Sequence, residues 1–89
     1  MNEMKLGTAL PNGALVVDFK ELHRWVEFNV TKSEGIVLAL VADGLHPHVT
    51  WRYLMDHATG VVETVGGNYF TSVFPAAKDF ARRIGTDGE

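Results

Sequence analysis

The chain has 89 residues, of which 46% are hydrophobic and 21% charged, with a formal net charge of −3. Disorder is excluded, because it needs low hydrophobicity together with high net charge, and the length predicts one small domain. The absence of cysteine excludes both a disulfide staple and a thiolate zinc site.

No apolar run approaches the roughly 20 residues of a membrane-crossing helix. The N-terminus from Met1 to Leu6 is polar and lacks the apolar core of a secretory signal. A cytoplasmic protein is expected, so the Asn29-Val30-Thr31 sequon carries little weight. Eight Lys and Arg oppose eleven Asp and Glu. That balance lacks the basic footprint of a nucleic-acid domain. The one local excess, Lys78, Arg82 and Arg83 against Asp79, reads first as a solvated helix face opposing the helix dipole. Otherwise it is an anion-binding patch. A folded monomer of 9.8 kDa exposes roughly 5,200 Å² and buries little more than 60% of its unfolded surface. Chains this small often draw stability from a metal or a partner.

Leu10-Pro11-Asn12-Gly13 is a turn signal, since proline presets φ and Asn-Gly supplies positive φ. It joins Lys5 to Leu10 with Ala14 to Phe19 as an expected hairpin. Leu15, Val17 and Phe19 alternate with Val16 and Asp18, the period of a half-buried strand. Asp18 to Thr31 fits two patterns. Val26, Phe28 and Val30 alternate with polar residues, which favours a strand over Trp25 to Thr31. Phe19, Leu22, Val26 and Val30 also sit near helical spacing, with Asp18 and Glu21 as a capping pair. Lys32 to Gly35 is expected to turn. Ile36 to Ala42 is apolar throughout, as in a central strand covered on both faces. Asp43-Gly44 ends it, and Leu45 to Pro47 loops.

His48 to Met55 alternates cleanly, with Val49, Trp51, Tyr53 and Met55 on one face and His48, Thr50 and Arg52 on the other. Asp56 to Gly60 turns and Val61 to Val65 makes the next strand. Gly66-Gly67 suggests a bulge, with Asn68 to Phe70 continuing beyond it. The last element is a helix from Ser72 or Val73 to Ile84, capped by Thr71 or Ser72. Its apolar stripe is Val73, Ala77, Phe80, Ala81 and Ile84. Pro75 is tolerated in the first turn, Gly85 stops the helix, and residues 86–89 form a flexible tail after a single domain of residues 1–85.

The fold class is α+β: an antiparallel meander of four to five strands with one C-terminal helix packed on one face. A helix of about twelve residues is roughly 18 Å long and covers one face only. Either Asp18 to Thr31 folds over the other face or a second chain does, so a homodimer through the helix-free face or an edge strand is expected.

His46-Pro47-His48-Val49-Thr50-Trp51, Gly67-Asn68-Tyr69-Phe70 and Ala77-Lys78-Asp79-Phe80 together resemble a pattern in small uncharacterised proteins of bacteria, phages and mobile elements. The likeness runs over residues 46–80. It implies a meander-plus-helix fold and supplies no catalytic residues.

Chemistry-bearing residues are sparse. Four histidines stand at 23, 46, 48 and 57. An extended strand from His48 to His57 spans about 30 Å, so it cannot bring them together, and zinc needs three or four converging ligands. His46 and His48 read as a solvent-facing pair stiffened by Pro47. No metal and no cofactor are expected. Nucleophilic motifs are missing from the sequence, with Ser33 read in a turn and Ser72 in a cap. Asp43, Asp56 and Glu63 fall near different strand ends, and Gly66-Gly67 lacks a phosphate-loop context. Trp51 and Tyr53 resemble a base-stacking platform, but their alternation places them in the core. Arg52, on the opposite face, has the charge to meet a phosphate. Trp25 and Tyr69 suit interface anchors, because Trp and Tyr are favoured at binding hot spots.

A non-enzymatic protein-interaction module, an accessory or inhibitory factor of a mobile element, is therefore expected, with Trp25, His48, Thr50, Arg52 and Tyr69 as its binding surface. One rival is a nucleic-acid-associated regulator using Lys78, Arg82 and Arg83 with Arg52. The other is a small-molecule binder with a pocket between sheet and helix near His46, His48 and His57.

Overall fold

Alternating and fully apolar stretches become strands, and the last periodic stretch becomes a helix. In a computed structural model describing residues 2–42 and 44–87, the order is β1 (Leu15–Glu27), β2 (Val30–Leu40), β3 (His48–Asp56), β4 (Val62–Phe70) and α1 (Val73–Asp87). The strands form one antiparallel meander in the order β1-β2-β3-β4. β2 and β3 pair without a shift from Lys32↔Asp56 to Leu40↔His48. β2 is the doubly covered strand that its apolar run requires. Ile36 and Leu38 pack on the helix side, and Val37 and Ala39 on the other.

The cover for that second face comes from the same chain. Leu10 and Ala14 are buried there with Val16, Val37, Ala39, Val49, Trp51, Tyr53 and Met55, and Met4 packs against them. The segment before β1 is held by the bridge Ala9↔Leu15. Gly7 donates to the Val16 carbonyl at 2.8 Å, and Val16 donates to Thr8 at 3.0 Å. At the turn Gly13 adopts φ 88° and its amide reaches the Leu10 carbonyl at 2.8 Å. The expected hairpin is thus a short ladder that serves as a strap. The surface of 5336 Å² is close to the roughly 5,200 Å² of a folded monomer of this mass. The helix-free face therefore needs no second chain to bury it.

Residues 18–31 are extended up to a tight turn, not helical. The turn falls at Phe28-Asn29, with φ of 50° and 62°, and not at Lys32 to Gly35, which lie inside β2. Small side chains at 33 and 35 mark the inside of the sheet rather than a turn. A Cβ on Gly35 would collide with the Lys20 carbonyl and the Tyr53 ring.

β1 also departs from simple alternation. Its register shifts between Val16 and Asp18 and again between Glu21 and His23. The first extra residue brings Val16 and Phe19 onto one face, while Leu15 and Val17 are 47% and 42% exposed. At that bulge the Asp18 carboxylate accepts the Phe19 amide at 2.8 Å. The bulge at Gly66-Gly67 stands where its sequence suggests. Thr50 pairs with Asn68, Arg52 pairs with Val65, and two glycines oppose Trp51. A Cβ on Gly67 would lie 2.5 Å from Trp51 Nε1.

α1 lays Ala76, Phe80 and Ile84 against Ile36, Leu38, Leu22 and Phe70. Of the expected stripe only Phe80 and Ile84 face inward. Val73, Ala77 and Ala81 are exposed, because polar bonds from Asp79 and Arg83 to the sheet set the rotation of the helix. Gly85 does not stop it. Thr86 and Asp87 of the expected tail are helical, whereas Gly88 and Glu89, and Asp43 of the expected strand end, lie outside the described residues. Among the described residues no helix is long and apolar enough to cross a membrane.

Candidate functional site

Three polar or half-apolar regions carry the chemistry of this molecule. One is a buried knot under the strap. His57, just past β3, is 1% exposed, as is Ser33 of β2. Ser33 Oγ lies 2.7 Å from His57 Nε2, and His57 Nδ1 lies 2.6 Å from the Asn2 carbonyl. A carbonyl only accepts, so Nδ1 carries a proton, and in a neutral imidazole Nε2 then accepts from the Ser33 hydroxyl. Glu3 Oε2 stands 3.3 Å from Nδ1. The order serine, imidazole, carboxylate matches the logic of an activated nucleophile, but the serine and the imidazole are sealed from substrate. Asn2 closes the knot, its amide donating to the His57 carbonyl at 2.9 Å.

Glu3, Glu21 and His57 place ligand atoms within 4.8 Å of one another. The cation already seated there is the guanidinium of Arg24, whose Nη2 is 2.7 Å from Oε1 of both Glu3 and Glu21. Its hydrogen bonds hold the Glu3 carboxyl below the usual range, and Glu21 and Glu3 together raise Arg24 further. With both imidazole nitrogens engaged, the cluster is a fastening for the strap. Burial pushes the adjoining Tyr53 phenol up to about 12.

The second region is the clamp between helix and sheet. Asp79 accepts from Thr50 Oγ1 at 2.6 Å, from Asn68 Nδ2 at 3.0 Å and from Arg82 Nη2 at 2.6 Å. Burial alone would raise its carboxyl, but the bonds from Thr50, Asn68 and Arg82 outweigh burial and hold it down at about 2. Arg83 Nε is 3.4 Å from Asp79, and its guanidinium also donates to the Gly66 carbonyl, tying α1 to the bulge. Lys78 lies over the Phe74 ring at 5.7 Å. Two of the three cations of the expected anion patch are thus engaged on one aspartate. A cavity of about 400 Å³ between Phe70, Pro75, Lys78, Asp79 and Arg82 opens beside them.

The third region is the half of the helix-bearing face that α1 leaves bare. Register places Trp25, Lys32, Glu34, Arg52, Leu54, Glu63 and Val65 on this face. A cavity of about 160 Å³ lies among Glu34, Arg52, Leu54, Glu63 and Val65. A second, of about 250 Å³, lies toward the strand ends among Lys32, Leu54, Asp56, Val61 and Glu63. Beside it Asp56 Oδ1 accepts the amides of Ala58 and Thr59. These bonds, Thr59's foremost, lower the Asp56 carboxyl.

The structure divides the five expected surface residues. Trp25, half-buried, and Arg52 share the bare half-face. Thr50 is buried beneath α1. His48 sits at the far end of β3 opposite Phe70, nine positions along the chain from His57. Tyr69 is on the opposite face, 51% exposed, with its ring 6.1 Å edge-on to Trp51. Sequence reasoning missed the Ser33–His57 knot. The presence of His57 was the only trace of it, because its partners come from positions 2, 3 and 33. Comparison with family models, with curated proteins and with solved structures gives no match.

Proposed function

We propose that the chain is a small non-enzymatic protein-interaction module of the cytoplasm. It works as a homodimer and receives another protein on the bare half of its helix-bearing face. The observation that carries this reading is the cavity among Glu34, Arg52, Leu54, Glu63 and Val65. Its floor is apolar, its rim carries both signs of charge, and Trp25 shares its face. Interfaces combine an apolar centre with a polar rim and favour Trp and Arg at hot spots. Its role on this reading is that of an accessory or inhibitory factor of a mobile element, which the missing catalytic motifs and the resemblance to small phage and mobile-element proteins together favour. The nucleic-acid alternative is weaker, because Arg82 and Arg83 are already engaged on Asp79.

A photo-crosslinking residue at position 65, which is 60% exposed as Val65, tests the reading in the native host. A discrete adduct is expected at 65, lost on Arg52→Glu and absent from position 6, which is 63% exposed as Leu6. Equal labelling at 65 and 6, or labelling at 65 that Arg52→Glu leaves unchanged, overturns it.

A further inference from the structure

The β1–β2 turn combines two features that each disfavour the isolated chain. Phe28 has φ 50°, a conformation in which a bulky L residue is a genuine outlier. Two-residue hairpin turns of this kind normally carry Asn and Gly. The same side chain is 93% exposed, so its ring gains nothing from its own fold. Strained residues held in place by their surroundings cluster at functional positions. Val26, 68% exposed, extends the apolar tip, and Glu27 and Lys32 pair at its base at 3.1 Å.

The same end of the sheet holds a receptacle. The cavity of about 250 Å³ is lined by Lys32, Leu54, Met55, Asp56, Val61 and Glu63. Cavities of roughly 150 Å³ accept benzene, so a phenyl ring fits. Lys32 belongs to both features: it pairs with Glu27 at the base of the tip and lines the cavity.

We propose that the occupant is a second copy of this chain. Phe28 of each copy seats in the other's cavity, across a two-fold axis at the strand ends. Tip and cavity lie at one end of one sheet, so the exchange is reciprocal and closes as a dimer rather than growing into a filament. Charge fits the same arrangement. Glu27 beside each tip meets the Lys32 lining the partner cavity, and the tip's own Lys32 meets Asp56 and Glu63. A phenylalanine buries roughly 150–250 Å², so two reciprocal insertions stay below the roughly 1,200–2,000 Å² of a standard stable interface. The dimer is accordingly weak. This inference rests on the dimer reading above and assigns its surface.

Sedimentation equilibrium of the full chain from about 5 to about 500 µM tests it. The wild type is expected to rise from 9.8 kDa toward twice that mass, with Kd on the order of tens of µM. Phe28→Asn is expected to weaken association at least tenfold. It should also raise the melting temperature of the monomer by a few degrees, because asparagine tolerates positive φ. Val61→Arg, which fills the cavity without touching the tip, should abolish association as well. A wild type that stays monomeric throughout overturns this inference and the dimer reading together. A wild-type dimer that Phe28→Asn leaves intact overturns this inference alone, as does one that Val61→Arg leaves intact. At about 5 µM, where both chains are mainly monomeric, a Phe28→Asn chain that melts lower than wild type shows the residue to be structural and also overturns it.

Discussion

The two faces of the sheet are buried by different means. On one, a strap drawn from the N-terminal residues adds Leu10 and Ala14 to a core of nine buried apolar residues and is fastened by an imidazole whose partners lie far away in sequence. On the other, a helix covers the half around Ile36 and Leu38 and is fastened by Asp79 on Thr50 and Asn68. The strap makes few backbone bonds of its own, so its polar fastening is sealed, with Ser33 and His57 at 1% exposure. The helix satisfies its own backbone, so its fastening sits at the rim, where the Asp79 side chain keeps 12% exposure. A covering element with few internal hydrogen bonds depends on buried tertiary ones. A helix depends on side-chain packing and needs polar bonds mainly to fix its rotation.

The largest expected effect comes from breaking the strap's fastening. His57→Ala leaves the Ser33 hydroxyl and the Asn2 carbonyl without their partner and opens a cavity. The cost is about 3 kcal/mol, from the unmet polar groups and the void together. Urea unfolding should show the loss, and amide exchange should show residues 2–9 losing protection before α1 does. Loss of α1 protection first would mean that the strap does not hold this face.

The helix fastening should respond to acid. The folded-state carboxyl of Asp79 lies at about 2, below its ordinary 3.8. Its contribution is therefore complete above about pH 4 and is lost as the pH falls through about 2. A depression of this size is worth about 2 kcal/mol. Asp79→Asn should remove that part of the acid dependence in a stability–pH profile while leaving the strap's exchange pattern unchanged. An unaltered profile would place the acid sensitivity elsewhere.

The smallest effect has the opposite sign. Gly85 lies inside α1, and a Cβ there meets no atom within 4 Å. Gly85→Ala should stabilise by about 0.5 kcal/mol, since alanine is the better helix former and the position is near the end. A lowered melting temperature would instead mark Gly85 as a helix stop.

Legibility followed the range of the interaction that decided each element. His48 to Met55 alternates strictly, and its odd residues are all in the strap-side core. Two adjacent glycines announced the bulge opposite Trp51. The turn at Phe28-Asn29 carries neither glycine nor proline, so its local signal is faint, while Ser33 and Gly35 mimic a turn although the packed sheet requires them small. The candidate surface was legible only in part. Alternation put Thr50 and Arg52 on one face, but it could not say that α1 hides the first and leaves the second beyond its reach.

The sequence by itself determined the meander, the doubly apolar centre of β2 and the closing helix, because periodicity and turn chemistry are properties of neighbouring residues. Tertiary structure decided which element covers each face, where β1 changes sides, how α1 is rotated and that His57 is buried. Each of these depends on a partner distant in the chain: residues 2–14 for the second face, β2 for the bulges, Thr50 and Asn68 for the helix, and Asn2 and Ser33 for the imidazole.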